Sequence, residues 1–482
     1  MKSNLHSKVS ELEQRLLEGQ ISRRDFLRAA ALLGVSLWAS EVLAACNLKP
    51  APEPTPTERF QPAIAYTDNI IPTPPGGEIF PPTAAPGEEP TLAARSTAPP
   101  PKPPVWLCTS CGLHFPNADV LKRHAATVHA KRLPEIQRIE RPTYSEFLVG
   151  PVERFDERNT VFSRTAWDEP YIALVKAATA KAPQDDREAI EGRALIAGAI
   201  YADDTAGSLH PNYYGYFGHV REHGGLYGWD DPVNTSQFPV PDAAWMSERI
   251  KQVARLYGAN LVGICQVDPR WVYSHYFERV SGNYGKLEIP YPYAVVMAIE
   301  MDWNSINESP GMEASAATAL IYSRMAELSG SLAKYIRALG YSALSSGNDS
   351  AQSIPLAIDA GLGEIGRLGL LLTPEYGPRV RICKVFTDLP LQPDQPIDFG
   401  MRSFCENCHA CAGACPVDAI PWEDRTTAPT SISNRKGILR WTVDVARCYL
   451  FWRENGVDCS NCIAACPWAL QSTRDWLESP TG

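Results

Sequence analysis

The sequence predicts an α/β core followed by a small cysteine-rich domain, and three observations carry that reading. Between residues 140 and 400, helix-like and strand-like apolar patterns alternate, which argues for an α/β sheet with crossover helices. From Cys405 to Pro467, eight cysteines stand at short steps, two of them followed by proline. Residues 47–104 are rich in proline and of low complexity, a composition that favours an extended, disordered tether and cannot bury a core.

The core elements follow from periodicity. Met246 to Tyr257 has helical apolar spacing with Gly258 as its stop, and Leu261 to Cys265 reads as a buried strand. Tyr293 to Ile299 is another strand, Ala314 to Leu339 a long helix ending at Gly340, and Tyr341 to Leu344 a strand again. Val380 to Phe386 is a further apolar run. Cys265 and Cys383 sit inside strand-like runs and read as small core residues rather than ligands. Asp359 to Gly369 is glycine-rich. Gly361, Gly363 and Gly366 satisfy the bare G-x-G-x-x-G spacing, but Thr373-Pro374 interrupts any long helix after them. These glycines are expected to let backbone approach a large planar group.

At 482 residues and 44 % hydrophobic content the chain has room for two or three domains, and a net charge of −10 gives no reason to expect nucleic-acid binding. Thirteen cysteines are too many to be incidental, and a disulfide framework is not expected at this length. Cys405, Cys408, Cys411 and Cys415 have the C-x2-C-x2-C-x3-C-P spacing of bacterial ferredoxins, and Cys448, Cys459, Cys462 and Cys466 repeat it with the first cysteine set back. Such a run holds two [4Fe–4S] clusters, the fourth cysteine of each motif serving the other cluster. This pairs Cys405, Cys408, Cys411 and Cys466 in one site and Cys448, Cys459, Cys462 and Cys415 in the other. Zinc is the alternative ligand, but it gains nothing from the Cys-Pro endings.

The first 46 residues read as an address. Ser22 to Arg28 (SRRDFLR) matches a twin-arginine signal, and the apolar run Ala29 to Ala39 is too short to span a bilayer. Leu43-Ala44-Ala45-Cys46 is either a lipobox or an ordinary small-residue cleavage site. Export to the outer face of the cytoplasmic membrane follows, with anchorage through lipid or a partner protein. Residues 105–131 hold Cys108, Cys111, His124 and His129 at the spacing of a two-Cys, two-His zinc finger. A single finger on an acidic, exported chain reads as a structural or docking module.

Several of these stretches together resemble the respiratory reductive dehalogenases and their cytosolic relative, epoxyqueuosine reductase. They are the twin-arginine leader, Gly258 to Gly263, Gly361 to Arg367, Leu372 to Arg379, Thr387 to Pro390 and both cysteine motifs. The resemblance implies a nitroreductase-like core over 140–400 that binds cobalamin, with a ferredoxin-like domain over 401–470. The chain lacks the Asp-x-His-x-x-Gly signature, which suits a corrinoid with no protein histidine on cobalt and equally suits no corrinoid. Tyr322 is similar to the family's proton-donating tyrosine and Arg381 to the arginine beside it, with Arg379 two positions away as the alternative. Asn348 and Trp452 resemble pocket residues, and Gly361, Gly363 and Tyr376 fall where the cofactor is bound. From the residues alone, Tyr322 could equally be a core tyrosine and Trp452 core filling. The implied reaction replaces halogen by hydrogen on an organohalide, with electrons from a membrane donor. An epoxyqueuosine-reductase-like enzyme conflicts with the export signal and acidic charge. An exported iron–sulfur electron carrier leaves the α/β body unexplained.

Overall fold

The computed structural model describes residues 106–107, 114–115, 135–183, 187–205, 232–279 and 282–469. The twin-arginine segment, Cys46, the proline-rich stretch and the finger residues Cys108, Cys111, His124 and His129 lie outside the described residues. Two short antiparallel strands, Trp106–Leu107 and His114–Phe115, flank the Cys108–Cys111 step.

Four strands form the central sheet: β1 Leu261–Gln266, β2 Tyr293–Glu300, β3 Ala343–Ser346 and β4 Val380–Thr387. Their order is β1-β2-β4-β3, and every neighbouring pair is antiparallel. β4, the last in sequence, inserts between β2 and β3. Those two therefore run parallel to each other and are joined by a crossover helix. The expectation of crossover helices holds for this connection, while the ladder itself is antiparallel.

The helices that matter to the site are α1 Ala243–Leu256, α2 Met312–Ala338, α3 Ser353–Asp359 and α4 Val445–Asn455. α1 starts where the Asp242 carboxylate accepts the Trp245 N–H at 2.7 Å, satisfying one of the orphan donors of the first turn. α2 stops before Gly340, whose φ of +87° is open to glycine at little cost.

Strand periodicity divides the core in two. Val262, Ile264, Val295, Met297, Ile299, Cys383 and Val385 face α1 and α2, meeting Ile250, Ile321, Met325, Leu328 and Leu332. Cys265, Ala294, Val296, Ala298, Ile382 and Phe386 face the other way, against Leu356 and Ile358 of α3 and against Trp271. Each fully buried Leu, Ile or Met here stabilises the fold by about 1.5–3 kcal/mol. Cys265 and Cys383 are core residues on opposite faces, as their strand context implied. Cys405, Cys411, Cys466, Ile463 and Trp468 join the first of these cores. The cysteine-rich segment is thus packed onto the sheet's α2 face rather than around a core of its own.

Candidate active site and cluster domain

A cavity of about 690 Å³ opens between the sheet, the residue 144–163 segment and the cysteine-rich segment. Tyr322, Asn348, Arg381 and Trp452 all line it. Helical spacing on α2 turns Ile321 and Met325 inward and leaves Tyr322, between them, at the cavity rim. Asn348 follows β3 in a tight turn and donates Nδ2–H to Tyr322 Oη at 3.0 Å. The Arg381 guanidinium stands 5.4 Å from the Tyr322 ring centre, and its buried Nε has no hydrogen-bond partner among the described residues. The arginine beside the tyrosine is therefore Arg381. Arg379 is buried elsewhere, bound to Glu300 at 2.9 Å, Met301 O at 2.7 Å and Ala469 O at 3.0 Å.

The turn that presents Asn348 is held from behind. Lys384, fully buried on β4, donates from Nζ to Gly347 O at 2.5 Å, Asp349 O at 3.2 Å and Ser353 Oγ at 3.1 Å. Two of those acceptors are the carbonyls flanking Asn348. Ser350, next in the chain, takes a left-handed φ of 63°. Burial pushes the lysine down to about 8, against the pull of Asp349. Glu157 and Asp349 line the same cavity. Burial and the Asp349 charge raise Glu157 to about 8, and its carboxylate accepts the Phe277 N–H at 3.0 Å. On another wall, Tyr144 donates to Asp359 at 2.7 Å and accepts from Trp271 Nε1 at 3.0 Å; burial raises Asp359 to about 7. Lys384 had a sequence signal, a lone lysine in an apolar strand. Glu157 and Tyr144 had none, because only the fold brings their segments to one cavity, with Asp359 behind Tyr144.

Gly361, Gly363 and Tyr376 are not part of the cavity wall. A Cβ at Gly361 would lie 2.5 Å from Gln395 O, and one at Gly363 would lie 2.0 Å from Leu372 O. These two glycines admit the chain's own backbone, not a ligand. Tyr376 closes a turn through its N–H to Thr373 Oγ1 at 3.0 Å and packs on the second core. Gly366 and Gly369, further along the same loop, do reach the cavity.

The eight cysteine thiols fall into the two groups that the spacing implied. Cys411 interacts most with Cys408, Cys405 and Cys466 and less with Cys462, while Cys462 interacts most with Cys448, Cys459 and Cys415. Among the described residues no three Cys, His, Asp or Glu side chains are close enough to ligate one metal ion. Thiols grouped in fours but set wide apart suit the corners of a cubane rather than a single zinc. Burial raises the thiols of Cys405, Cys411 and Cys466 in one group and of Cys448, Cys459 and Cys462 in the other, so binding of metal there releases protons. The first group is buried, while the thiols of the second are partly exposed.

The long step between Cys448 and Cys459 is occupied by α4. Asp444 caps its start by accepting the Arg447 N–H at 2.9 Å, and Gly456 ends it at φ +87°. This helix carries Cys448 on one side and Trp452 on the cavity wall, and the indole faces the Cys448 thiol. Tyr449 and Trp452 pack with Phe162, ring centres 5.3 and 6.1 Å from it. Trp452 thus lines the cavity from the same helix that carries Cys448, a thiol of the second group.

Comparison with known proteins agrees with this arrangement. Residues 404–470 match the family described as 4Fe-4S dicluster domain. The tetrachloroethene reductive dehalogenase of Sulfurospirillum multivorans is 35% identical over 311 residues, 58% of this chain and 62% of the relative. That of Desulfitobacterium hafniense is 38% identical over 291 residues, 51% of this chain and 53% of the relative. The chain thus spans between about half and three fifths of the length of these relatives. Among solved structures, the catabolic reductive dehalogenase NpRdhA in complex with 3-bromo-4-hydroxybenzoic acid is similar at a TM-score of 0.52 and 29% identity, over 70% of this chain and 45% of that one. A reductive dehalogenase structure described for B12-dependent dehalogenation gives 0.53 and 28%, over 71% and 46%. An epoxyqueuosine reductase of Lactococcus garvieae is 35% identical over 80 residues, 17% of this chain and 22% of the relative. By sequence and by its mixed α/β fold with a C-terminal 4Fe–4S dicluster domain, this chain is similar to the reductive dehalogenases.

Proposed function

We propose that the chain is a reductive dehalogenase: an organohalide, two electrons and one proton give the hydrogen-substituted product and a halide ion. The observation that supports this most is the convergence of Tyr322, Asn348 and Arg381 on a cavity whose wall, at Trp452, is built by the helix that carries Cys448 of the dicluster domain. An iron–sulfur carrier without a substrate needs no such cavity. The reading extends to a nitroreductase-like core that holds cobalamin. Gln352, Ser353 and Ser433 offer polar partners for its amide edges, and Ile438, Val445 and Trp452 offer apolar surface for its ring. When bound and reduced, cobalamin supplies the electrons that break the carbon–halogen bond.

The protein's own residues then complete the reaction. Tyr322 gives the phenolic proton to the carbon that has lost its halogen. Asn348, donating to Tyr322 Oη, fixes the orientation of the phenol and continues to donate once it becomes phenolate. Arg381 supplies a fixed positive charge beside the ring, which stabilises that phenolate. Export by the twin-arginine route, anchorage at the membrane by lipid or partner, a membrane electron donor and a zinc-held Cys108–His129 module are part of the same proposal. Tyr322→Phe tests the proton donor: iron and cobalt content should be unchanged and halide release should fall by about 10²–10⁴-fold. Undiminished turnover in that variant would remove Tyr322 from the mechanism.

A further inference from the structure

Arg367 lies in the glycine-rich loop and is 1 % exposed. Its guanidinium is fully occupied by carbonyls: Nε donates to Cys405 O at 3.0 Å, and Nη1 donates to Pro421 O and Glu423 O, each at 3.0 Å. Its plane stacks on Trp441 at 4.6 Å, and the Arg425 guanidinium stacks on the same indole at 3.8 Å. Among the described residues Arg367 has no carboxylate partner, whereas Arg425 is paired with Glu406 at 2.5 Å. A buried cation without an anion costs several kcal/mol, roughly, which carbonyl dipoles offset only in part. The anionic groups nearest to Arg367 are Cys411, Cys405 and Cys408, three of the four ligands of one cluster. The Arg367 main-chain N–H also faces the Cys405 thiol.

Arg425 and the Glu364 carboxyl also stand near Cys405, so the surroundings of the first cluster are cationic on balance, whereas those of the other are anionic. Asp444 stands near Cys448 and Asp458 near Cys459. Arg447, 3.7 Å from Asp444, is nearly half exposed and screened by solvent. Cluster potential follows net charge, hydrogen bonds to sulfur and exposure to solvent. One-electron reduction adds a negative charge, so a fixed cation nearby favours the reduced form and a carboxylate disfavours it.

We propose that Arg367 is the counter-cation of the Cys405–Cys408–Cys411–Cys466 cluster and holds its reduction potential above that of the Cys415–Cys448–Cys459–Cys462 cluster. This rests on the dicluster domain alone and stands whether or not the protein reduces organohalides. The test is a redox titration of the full chain loaded with both clusters, followed by electron paramagnetic resonance. Arg367→Gln keeps hydrogen-bond donors but removes the charge. At a fixed applied potential it should lower the reduced-to-oxidised ratio of the higher-potential cluster by about tenfold or more, about 59 mV for one electron. The other cluster should stay in place, and Arg367→Lys should stay near the wild type. Two unchanged potentials, or an equal shift in both clusters, would overturn the proposal. If Arg367→Gln fails to assemble, iron content decides. Full iron in the lysine variant with half in the glutamine variant supports the charge role; equal loss in both refutes it.

Discussion

Lys384→Met removes the clamp behind Asn348 without touching the cavity wall. It deletes the donors to Gly347 O, Asp349 O and Ser353 Oγ at 2.5, 3.2 and 3.1 Å; Gly347 O is left facing a methyl group, while Asp349 O keeps the Ala351 N–H at 2.7 Å and the Ser346 hydroxyl at 2.9 Å. One unsatisfied buried carbonyl costs about 1–3 kcal/mol, and losing the buried lysine's own desolvation returns part of that, for a net loss of about 1–2 kcal/mol. The turn with its left-handed Ser350 then relaxes, and Asn348 loses its fixed approach to Tyr322. That hydrogen bond is worth about 1 kcal/mol, so kcat for halide release should fall about five- to tenfold. Urea unfolding reads the first quantity and steady-state halide release the second. The causal link is read by a double-mutant cycle with Asn348→Ala. If Lys384 acts through Asn348, adding Lys384→Met to the alanine variant costs little further activity. The same fold loss in both backgrounds would refute the clamp.

Two other outcomes follow from the site. Glu157 keeps its proton in the folded chain up to about pH 8, while the unfolded chain releases it near 4.5. Between those values the folded state binds more protons, so this residue makes stability fall as pH rises. Glu157→Gln should therefore gain stability relative to wild type from pH 5 to pH 8, by at most about 5 kcal/mol at about 1.4 kcal/mol per tenfold in proton affinity. A difference between the two proteins that is flat with pH in thermal melts would contradict it. Cys415→Ala should strip the cluster it shares with Cys448, Cys459 and Cys462, although it is contiguous in sequence with Cys405–Cys411. Chelator-resistant iron should fall by half, and the resonance signal that survives should be the one abolished by Cys411→Ala. The same surviving signal in both variants would refute the crossed pairing.

Much of this architecture was legible before any coordinates. Continuous apolar runs and the helical spacing of α2 located the sheet and its long helix, because both faces of the sheet are buried and every position of its strands then favours an apolar residue. The dicluster domain was legible because short chain steps between cysteines are what wrapping a cubane requires. The antiparallel ladder was not, since insertion of β4 between β2 and β3 is a long-range event with no local signature. Gly361 and Gly363 misled for a related reason. A glycine records that something comes close, and here the neighbours are Gln395 O and Leu372 O rather than a cofactor. The Glu157–Asp349–Lys384 group was hidden because its members come from three segments joined only by the fold.

The central claim is that the cavity beside Tyr322 holds a corrinoid and works with two clusters. The most direct measurement is metal analysis of the purified full chain, with halide release from organohalides under a reduced viologen. The account predicts one cobalt for every eight irons, at four per cluster, with halide released in step with cobalt occupancy. Protein that carries all of its iron but takes up no cobalt, and releases no halide, would contradict it.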